Sequence, residues 1–201
     1  LSLVGSEMCI RDRKRAIPRV ETLYKTYLAE VENLDKIKGT NSFNYPRGFV
    51  DNALDLTDAD IADLKDRVKR AFENIKYETD LKKASENAYI IIEAVAEKLD
   101  QKKDFYDKLS EVVEDDTIIV TNTSTFLPSQ FKDNVKDNSR YLALHFANKI
   151  WRNNTGEVMG HEETSQEKFD EVVKFAKDIK MVPLVVKKEV HGYLLNSLLV
   201  P

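Results

Sequence analysis

The sequence predicts an α/β fold in which helices flank a mostly parallel β-sheet. Short apolar runs alternate with helical patterns from about residue 75 to residue 186. The run at 88–92 is almost unbroken, as expected of a strand that is covered on both faces. Because the connections between strands and helices are short, we expect right-handed crossovers between parallel strands.

The first part of the chain predicts two amphipathic helices joined by a loop. Apolar residues recur at helical spacing over 20–34, and Pro18 stands near the start, where a fixed φ is tolerated. The segment 38–56 is rich in Gly, Asn and Pro, which is typical of a loop. Thr57 and Asp60 can cap a second helix with an apolar face.

Strands and helices then alternate. We expect strands at 75–77, 88–92, 117–120, 141–146, 157–159 and 182–186. One helix is predicted over 99–113, and the sequence Thr-Ser-Gln-Glu at 164–167 is a capping box that opens another. This order is typical of a layered α/β domain.

Composition and charge exclude several classes of protein. The chain has 201 residues, with 31 basic and 35 acidic side chains and a net charge of -4. This mild acidity gives no global attraction to nucleic acid or to an anionic membrane. No apolar run approaches the ~20 residues that cross a bilayer, and the single Cys9 cannot form an internal disulfide. We therefore expect a cytoplasmic globular protein that binds neither nucleic acid nor membrane.

The two ends of the chain are set apart from the fold. The segment 6–13, Ser-Glu-Met-Cys-Ile-Arg-Asp-Arg, resembles a translated sequencing adapter, and we interpret residues 1–13 as a non-native lead. The alternative is a native tail of irregular structure. At the other end an apolar run stops at Pro201, which we interpret as a truncation.

Three polar segments follow predicted strands and are the candidates for a binding site. They are 93–97, 121–124 and 145–148. Ligands of α/β sheets lie beyond the carboxyl ends of the strands, which is where these segments are expected.

His145 and Glu157 are the candidate general base and its partner. Glu157 follows His145 by twelve residues, at the start of another predicted strand. A carboxylate orients an imidazole, and such a pair can remove a hydroxyl proton as hydride leaves the same carbon. We expect the two side chains to meet at the carboxyl edge of a shared parallel sheet. The alternative is a structural histidine beside a solvated glutamate. His161 and His191 fit turn positions better, and the histidine spacing predicts no metal site.

Glycine placement gives no nucleotide-binding motif. The six glycines are Gly5, Gly39, Gly48, Gly156, Gly160 and Gly192. None forms a G-x-G-x-x-G loop after a strand, and none forms a P-loop.

Five motifs resemble those of the 3-hydroxyacyl-CoA dehydrogenase family. Residues 91–97, Ile-Ile-Glu-Ala-Val-Ala-Glu, are similar to its V-I-E-A-V-x-E segment. Residues 121–124 are similar to its T-N-T-S turn, and 145–148 to its H-F-x-N segment. Glu157 stands at the interval of the family's second catalytic residue, and 192–201 resembles the G-F-I-x-N-R-L-L-x-P signature. The motifs occur in family order and spacing over more than half of the chain.

The resemblance implies a Rossmann-like NAD-binding domain and the roles of its residues. His145 would be the general base, and Glu157 would hold it. The substrate site would be contacted or shaped by Ser124, Asn196 and Asn148. The nicotinamide half of NAD would be lined by Ala94, Val95, Glu97 and Asn122. Lys102 would lie near the crevice between cofactor and CoA, where a cation suits phosphate; the alternative is a solvated helix lysine.

Three departures from the family pattern mark a divergent subfamily. Lys149 replaces the Pro after H-F-x-N, while Tyr193 and Ser197 replace the Phe and the Arg of the last signature. They leave the acyl length and the CoA requirement open. Trp151 would either cover the substrate pocket or pack as a structural aromatic.

The resemblance also implies domain boundaries. Residues 14–190 would be part of the NAD-binding domain without its first βαβ unit and glycine loop. Residues 191–201 would begin an all-helical domain that forms a homodimer in the full-length protein. We therefore expect this chain, as written, to bind NAD weakly and to turn over little or nothing.

The functional hypothesis is an oxidoreductase that transfers hydride between the 3-hydroxyl of a short-chain 3-hydroxyacyl-CoA and NAD. One alternative is a dehydrogenase of a small free hydroxy acid or polyol acid, because hydride transfer needs only a secondary alcohol beside a base. Another is a non-catalytic homologue of the same fold. Intact candidate residues argue against it: His145, Glu157, Ser124 and Asn196.

Overall fold

The structure, a computed structural model, describes the backbone of residues 2–3 and 10–199 and the side chains of residues 16–197. It divides into two units. One comprises Leu1–Thr79 with Trp151–Asn153, and the other Asp80–Ile150 with Asn154–Pro201. The segment 1–13 lies mostly outside the described residues, and its non-native origin stays a prediction.

Two helices form the core of the first unit. α1 (Ile10–Ile37) and α2 (Asp58–Glu73) enclose a cluster of buried side chains, namely Val31, Leu34, Ile61, Leu64 and Val68. The predicted cap of α2 is present: the Asp60 amide donates to the Thr57 hydroxyl, and the Thr57 amide donates to the Asp60 carboxylate. α1 begins earlier than predicted, so that Pro18 lies inside the helix and not near its start.

The predicted strand at 75–77 lies outside the main sheet. β1 (Ser2–Leu3) and β2 (Lys76–Tyr77) pair in parallel as a separate two-stranded sheet of the first unit. The same unit holds Trp151, whose indole nitrogen donates to Glu30 at 3.1 Å and whose ring packs against Tyr27. Trp151 is therefore a packing aromatic of this unit.

A five-stranded sheet organises the second unit. Its strands, in spatial order, are β3 (Ile90–Glu93), β4 (Ile118–Thr121), β5 (Tyr141–Phe146), β6 (Thr155–Met159) and β7 (Val182–Val186). β3, β4 and β5 run parallel, β5 and β6 run antiparallel, and β6 and β7 run parallel. The predicted Rossmann-like, mostly parallel sheet is confirmed. The antiparallel pair arises where no helix separates two strands, because a short loop can only reverse the chain.

Helices cover both faces of this sheet. They are α3 (Leu81–Ser85), α4 (Leu99–Ser110), α5 (Gln166–Asp178) and α6 (Tyr193–Leu199), with 3₁₀ turns at Pro128–Gln130, Lys132–Asn134 and Asn138–Arg140. Phe105 and Leu109 of α4 pack with Ile119 on one face. Val172 and Ala176 of α5 pack on the other face, against the alternate side chains of the strands.

The predicted capping box at 164–167 was wrong by one residue. Ser165 is the N-cap of α5, and its hydroxyl accepts from the Lys168 amide at 3.2 Å. The Thr164 hydroxyl instead donates to the Tyr141 carbonyl at 2.9 Å, at the start of β5. The side chain of Thr164 therefore contacts the start of β5 and does not cap α5.

Candidate active site

His145 and Glu157 stand opposite each other on neighbouring strands. The register of β5 and β6 pairs them directly, and directly opposed residues project from the same face of a sheet. His145 Nδ1 lies 2.7 Å from Glu157 Oε2. The two side chains thus meet as expected, but the expectation of parallel strands was wrong, because they share an antiparallel hairpin.

Glu157 is fully buried, and each of its oxygens has donors. Oε2 faces the imidazole, while Oε1 accepts from the amides of Leu194 at 2.6 Å and Leu195 at 2.9 Å, in the first turn of α6. A carboxylate oxygen can only accept, so Nδ1 of His145 carries a proton in this contact. Nε2 is then the ring nitrogen that can take up a proton.

Tyr193 packs against the imidazole at the start of α6. Its ring centroid lies 5.0 Å from that of His145, and its hydroxyl donates to the Phe126 carbonyl at 3.1 Å. Burial raises the pKa of Tyr193, so that the hydroxyl stays a neutral donor. Gly192 and Tyr193 both adopt positive φ, at 77° and 57°, which the glycine tolerates and the tyrosine accepts under these contacts. The sequence marked Tyr193 only as a departure from a signature.

Two of the predicted substrate residues are in contact, namely Ser124 in the turn after β4 and Asn196 in α6. Asn196 Nδ2 donates to the Ser124 carbonyl at 3.1 Å. Asn122 Oδ1 accepts from the Phe146 amide at 2.9 Å, which joins this turn to the end of β5. Asn148 is exposed three residues beyond His145, and its role toward substrate stays a prediction.

Glu97 binds the same turn. Its Oε1 accepts from the hydroxyls of Thr123 and Thr125 and from the amides of Ser124 and Thr125, both at 3.1 Å. Partial burial opposes ionisation of the carboxyl, but the threonine hydroxyls and the Lys102 ammonium outweigh it and lower the pKa of Glu97 to about 2. Glu97 is therefore an ionised acceptor that fixes the turn.

Sequence reasoning missed a buried carboxylate at the end of β3. Glu93 accepts from the Val95 amide at 2.6 Å, from the Tyr106 and Thr121 hydroxyls at 2.7 Å each, and from the Lys102 ammonium at 2.8 Å. Burial raises the pKa of Tyr106 well above its usual range, so that its hydroxyl stays a donor. All lone pairs of a buried charge must be satisfied, and these four donors achieve that.

Lys102 lies in this network and not in solvent. Only 1% of it is exposed, so the alternative of a solvated helix lysine was wrong. Its ammonium contacts Glu93 at 2.8 Å and Glu97 at 3.2 Å, and contact with a cofactor phosphate, which stays a prediction, would require it to leave them. The spacing of Lys102 from Phe105 and Leu109 was the sequence signal for its burial, because positions i, i+3 and i+7 lie on one face of a helix.

The edge beyond β3 is where the nicotinamide half of NAD is predicted to lie, and this place stays a prediction. Ala94 and Ala96 are exposed and small, so the backbone after β3 is open to a flat ring, and Val95 is half-buried beside them. Asn122 lies on the adjoining turn. The glycine loop that holds the pyrophosphate is not found among the 201 residues.

The part of the chain that the structure describes offers neither a metal site nor a membrane-spanning helix. No cluster there of three His, Cys, Asp or Glu side chains could hold a metal ion. Among the helices of the described ranges, none is long and apolar enough to cross a membrane.

Comparison with known proteins identifies the domain. Residues 47–190 match the family described as 3-hydroxyacyl-CoA dehydrogenase, NAD binding domain. The chain is 34% identical over 112 residues to 3-hydroxybutyryl-CoA dehydrogenase of Clostridioides difficile, covering 56% of this chain and 40% of that protein. It is 28% identical over 134 residues to the mitochondrial hydroxyacyl-coenzyme A dehydrogenase of Rattus norvegicus, covering 67% and 42%.

A solved structure matches the entire chain. It is that of a diketoreductase, described as acting on dicarbonyl compounds, with 38% identity and a TM-score of 0.78, and it covers 100% of this chain and 60% of its own. The chain spans about two fifths of the length of the two dehydrogenases.

Proposed function

The chain belongs to the 3-hydroxyacyl-CoA dehydrogenase family, whose NAD-binding domain it matches over residues 47–190, and on that premise we propose that the full-length protein oxidises the 3-hydroxyl of a short-chain 3-hydroxyacyl-CoA with NAD. The observation that carries this proposal is the contact of 2.7 Å between His145 Nδ1 and the buried Glu157. The acyl-CoA substrate, the homodimer and the cytoplasmic location belong to the proposal.

His145 is the base of the proposed reaction. Glu157 holds Nδ1, so Nε2 removes the hydroxyl proton of the substrate, and the imidazolium that forms is stabilised by the carboxylate beneath it. In the reverse direction the same nitrogen returns the proton to the carbonyl oxygen. NAD, when bound, supplies the acceptor for the hydride that leaves the carbinol carbon.

The turn after β4 and helix α6 orient the substrate in this proposal. Ser124 and Asn196 hydrogen-bond the reacting oxygen and its surroundings, and their mutual contact keeps them together. Oriented donors lower the barrier because they need not reorganise as charge develops. Asn148 shapes the site, while Ala94, Val95, Glu97 and Asn122 line the nicotinamide half of NAD.

A second candidate is a reductase of small carbonyl compounds that carry no CoA. The similarity to the diketoreductase over the whole chain favours it, and so do the departures at Lys149, Tyr193 and Ser197. The same His145 and Glu157 would serve, because proton and hydride transfer need only the alcohol carbon and its base.

Steady-state kinetics of the full-length protein separate the two candidates. Acetoacetyl-CoA and a free dicarbonyl compound are each reduced with NADH, and kcat/KM is compared. We expect the CoA thioester to be preferred; a preference for the free compound would establish the second candidate, and no turnover of either would contradict both.

A further inference from the structure

We propose that Glu97 and Lys102 are positioning residues that set the turn after β4, residues 122–125, and thereby place Ser124 in the active site. This inference rests on the proposed function for the role of Ser124. It assigns to Glu97 and Lys102 a structural task in addition to their predicted places beside the cofactor.

A single oxygen of Glu97 accepts hydrogen bonds from three consecutive residues of the turn. Oε1 accepts from two backbone amides, those of Ser124 and Thr125, and from two hydroxyls, those of Thr123 and Thr125. Such a convergence defines the conformation of three consecutive residues. The amide of Ser124 is among the donors, so its backbone position depends directly on Glu97.

Lys102 links this carboxylate to the core. Its ammonium lies 3.2 Å from Glu97 Oε2 and is held on the other side by Glu93 at 2.8 Å and 3.0 Å. Because Lys102 is buried on α4 and Glu93 is buried on β3, neither can follow a movement of the turn. Lys102 and Glu93 therefore fix the position of Glu97 relative to the sheet.

The opposite side of the turn is held by α6. Asn196 donates to the Ser124 carbonyl, and the Tyr193 hydroxyl donates to the Phe126 carbonyl. The start of α6 is in turn anchored on Glu157, the partner of His145. Ser124 is thus fixed from two sides, by Glu97 and by the helix that the catalytic pair anchors.

The charge of Glu97 is constant over the working range of pH. The charged or titratable groups that face it are Lys102 on α4, Glu93 beyond that lysine and Tyr193 on α6. A carboxyl with a pKa of about 2 stays ionised at any pH used for assay. Replacing its charge, and not changing the pH, is therefore the way to release the turn.

Amide hydrogen exchange in the 201-residue chain tests the positioning directly. Glu97→Gln weakens charge-assisted hydrogen bonds, and we expect the Ser124 and Thr125 amides to exchange about tenfold faster or more. Thr125→Val should loosen the same amides without changing charge, and Thr125→Ser should leave them protected. The matched control is Glu111→Gln, at the exposed C-cap residue of α4, and it should change neither amide. Unchanged exchange in both Glu97→Gln and Thr125→Val would overturn the proposal.

Kinetics of the full-length protein test the consequence. With Glu97→Gln we expect kcat to fall about tenfold while KM for NAD stays within about twofold, and Thr125→Ser should retain the rate that Thr125→Val loses. A raised KM for NAD with unchanged kcat would show that Glu97 acts through the cofactor alone, and this would contradict the proposal. If the wild-type full-length protein reduced neither substrate class, the proposed function would fail, whereas the exchange result would still decide how the turn is held.

Discussion

Two buried carboxylates stand at different strands of the same sheet and are neutralised in different ways. Glu157 on β6 faces a histidine and two backbone amides. Glu93 on β3 faces a lysine, two hydroxyls and one amide. Both are almost completely shielded from solvent, with 0% and 1% exposure.

The comparison teaches that the partner decides what a buried carboxylate can do. Glu93 is paired with a lysine ammonium, which can only donate hydrogen bonds, so this pair is suited to holding the structure. Glu157 is paired with an imidazole, whose second ring nitrogen can accept a proton from a ligand, so this pair is suited to the proposed catalysis. Substitutions at each pair should therefore change different quantities.

The largest expected effect is at the histidine of the catalytic pair. His145→Ala in the full-length protein removes the base, and we expect kcat to fall roughly 100- to 10,000-fold. NADH absorbance during turnover measures the rate. His191→Ala, at an exposed histidine, is the control and should keep the wild-type kcat; a fall of less than tenfold in His145→Ala would contradict the catalytic side of the comparison.

The next effect is on stability, at the lysine of the other pair. Lys102→Met leaves Glu93 buried without its cation, and we expect the free energy of unfolding to fall by about 3–5 kcal/mol. Chemical denaturation of the 201-residue chain measures it. Lys108→Met, at the exposed end of the same helix, should change stability far less. The double variant Glu93→Gln/Lys102→Met should recover part of the lost stability. Equal losses of stability in Lys102→Met and Lys108→Met would show that the buried pair does not stabilise the fold.

A smaller effect separates the two contacts of Tyr193. Tyr193→Phe keeps the ring against His145 but loses the hydrogen bond to the Phe126 carbonyl, and we expect a loss of about 1 kcal/mol in unfolding free energy. Tyr193→Leu also loses the ring and should cost more. Denaturation of both variants measures the difference, and identical stability of the wild type and Tyr193→Phe would mean that the hydroxyl does not tie α6 to the turn.

The smallest effect is a dependence on pH at Glu97. The pKa of its carboxyl in the folded chain, about 2, lies below the ordinary value of 4.5. Its ionised form therefore stabilises the fold above pH 4.5, and this contribution is lost as the pH falls toward 2. The difference in the free energy of unfolding between wild type and Glu97→Gln, measured over this pH range, should become smaller as the pH decreases. A gap that does not change with pH would contradict the ionised role of Glu97.

The sequence predicted the contact of the proposed catalytic pair better than the groups that support it, for a physical reason. His145 lies within β5 and Glu157 within β6, and strand periodicity determines the face on which each side chain lies. The antiparallel pairing of β5 and β6 was not predicted. It follows from the short connection between the two strands, which contains no helix. The four-donor shell of Glu93 also escaped prediction, because partners such as Thr121 become neighbours only when β3, β4 and α4 assemble.

Lys102 and Trp151 show the limit of reasoning from residue type. A lysine suggests solvent or phosphate, yet its helical spacing puts Lys102 in the buried stripe of α4. A tryptophan near a candidate site suggests a pocket wall, yet Trp151 binds Glu30 and Tyr27 in the helical unit. In both residues the packing position, and not the chemical type, decided the contact.

Long-range ¹H–¹⁵N NMR spectra of the imidazole test the central claim most directly, because they show which ring nitrogen of His145 carries the proton. We predict that neutral His145 in the 201-residue chain is protonated at Nδ1, toward Glu157, and that Nε2 is free to accept a proton. Glu157→Gln should reduce this preference. A neutral imidazole protonated at Nε2, or a tautomer that Glu157→Gln leaves unchanged, would contradict the assignment of His145 as a base held by Glu157.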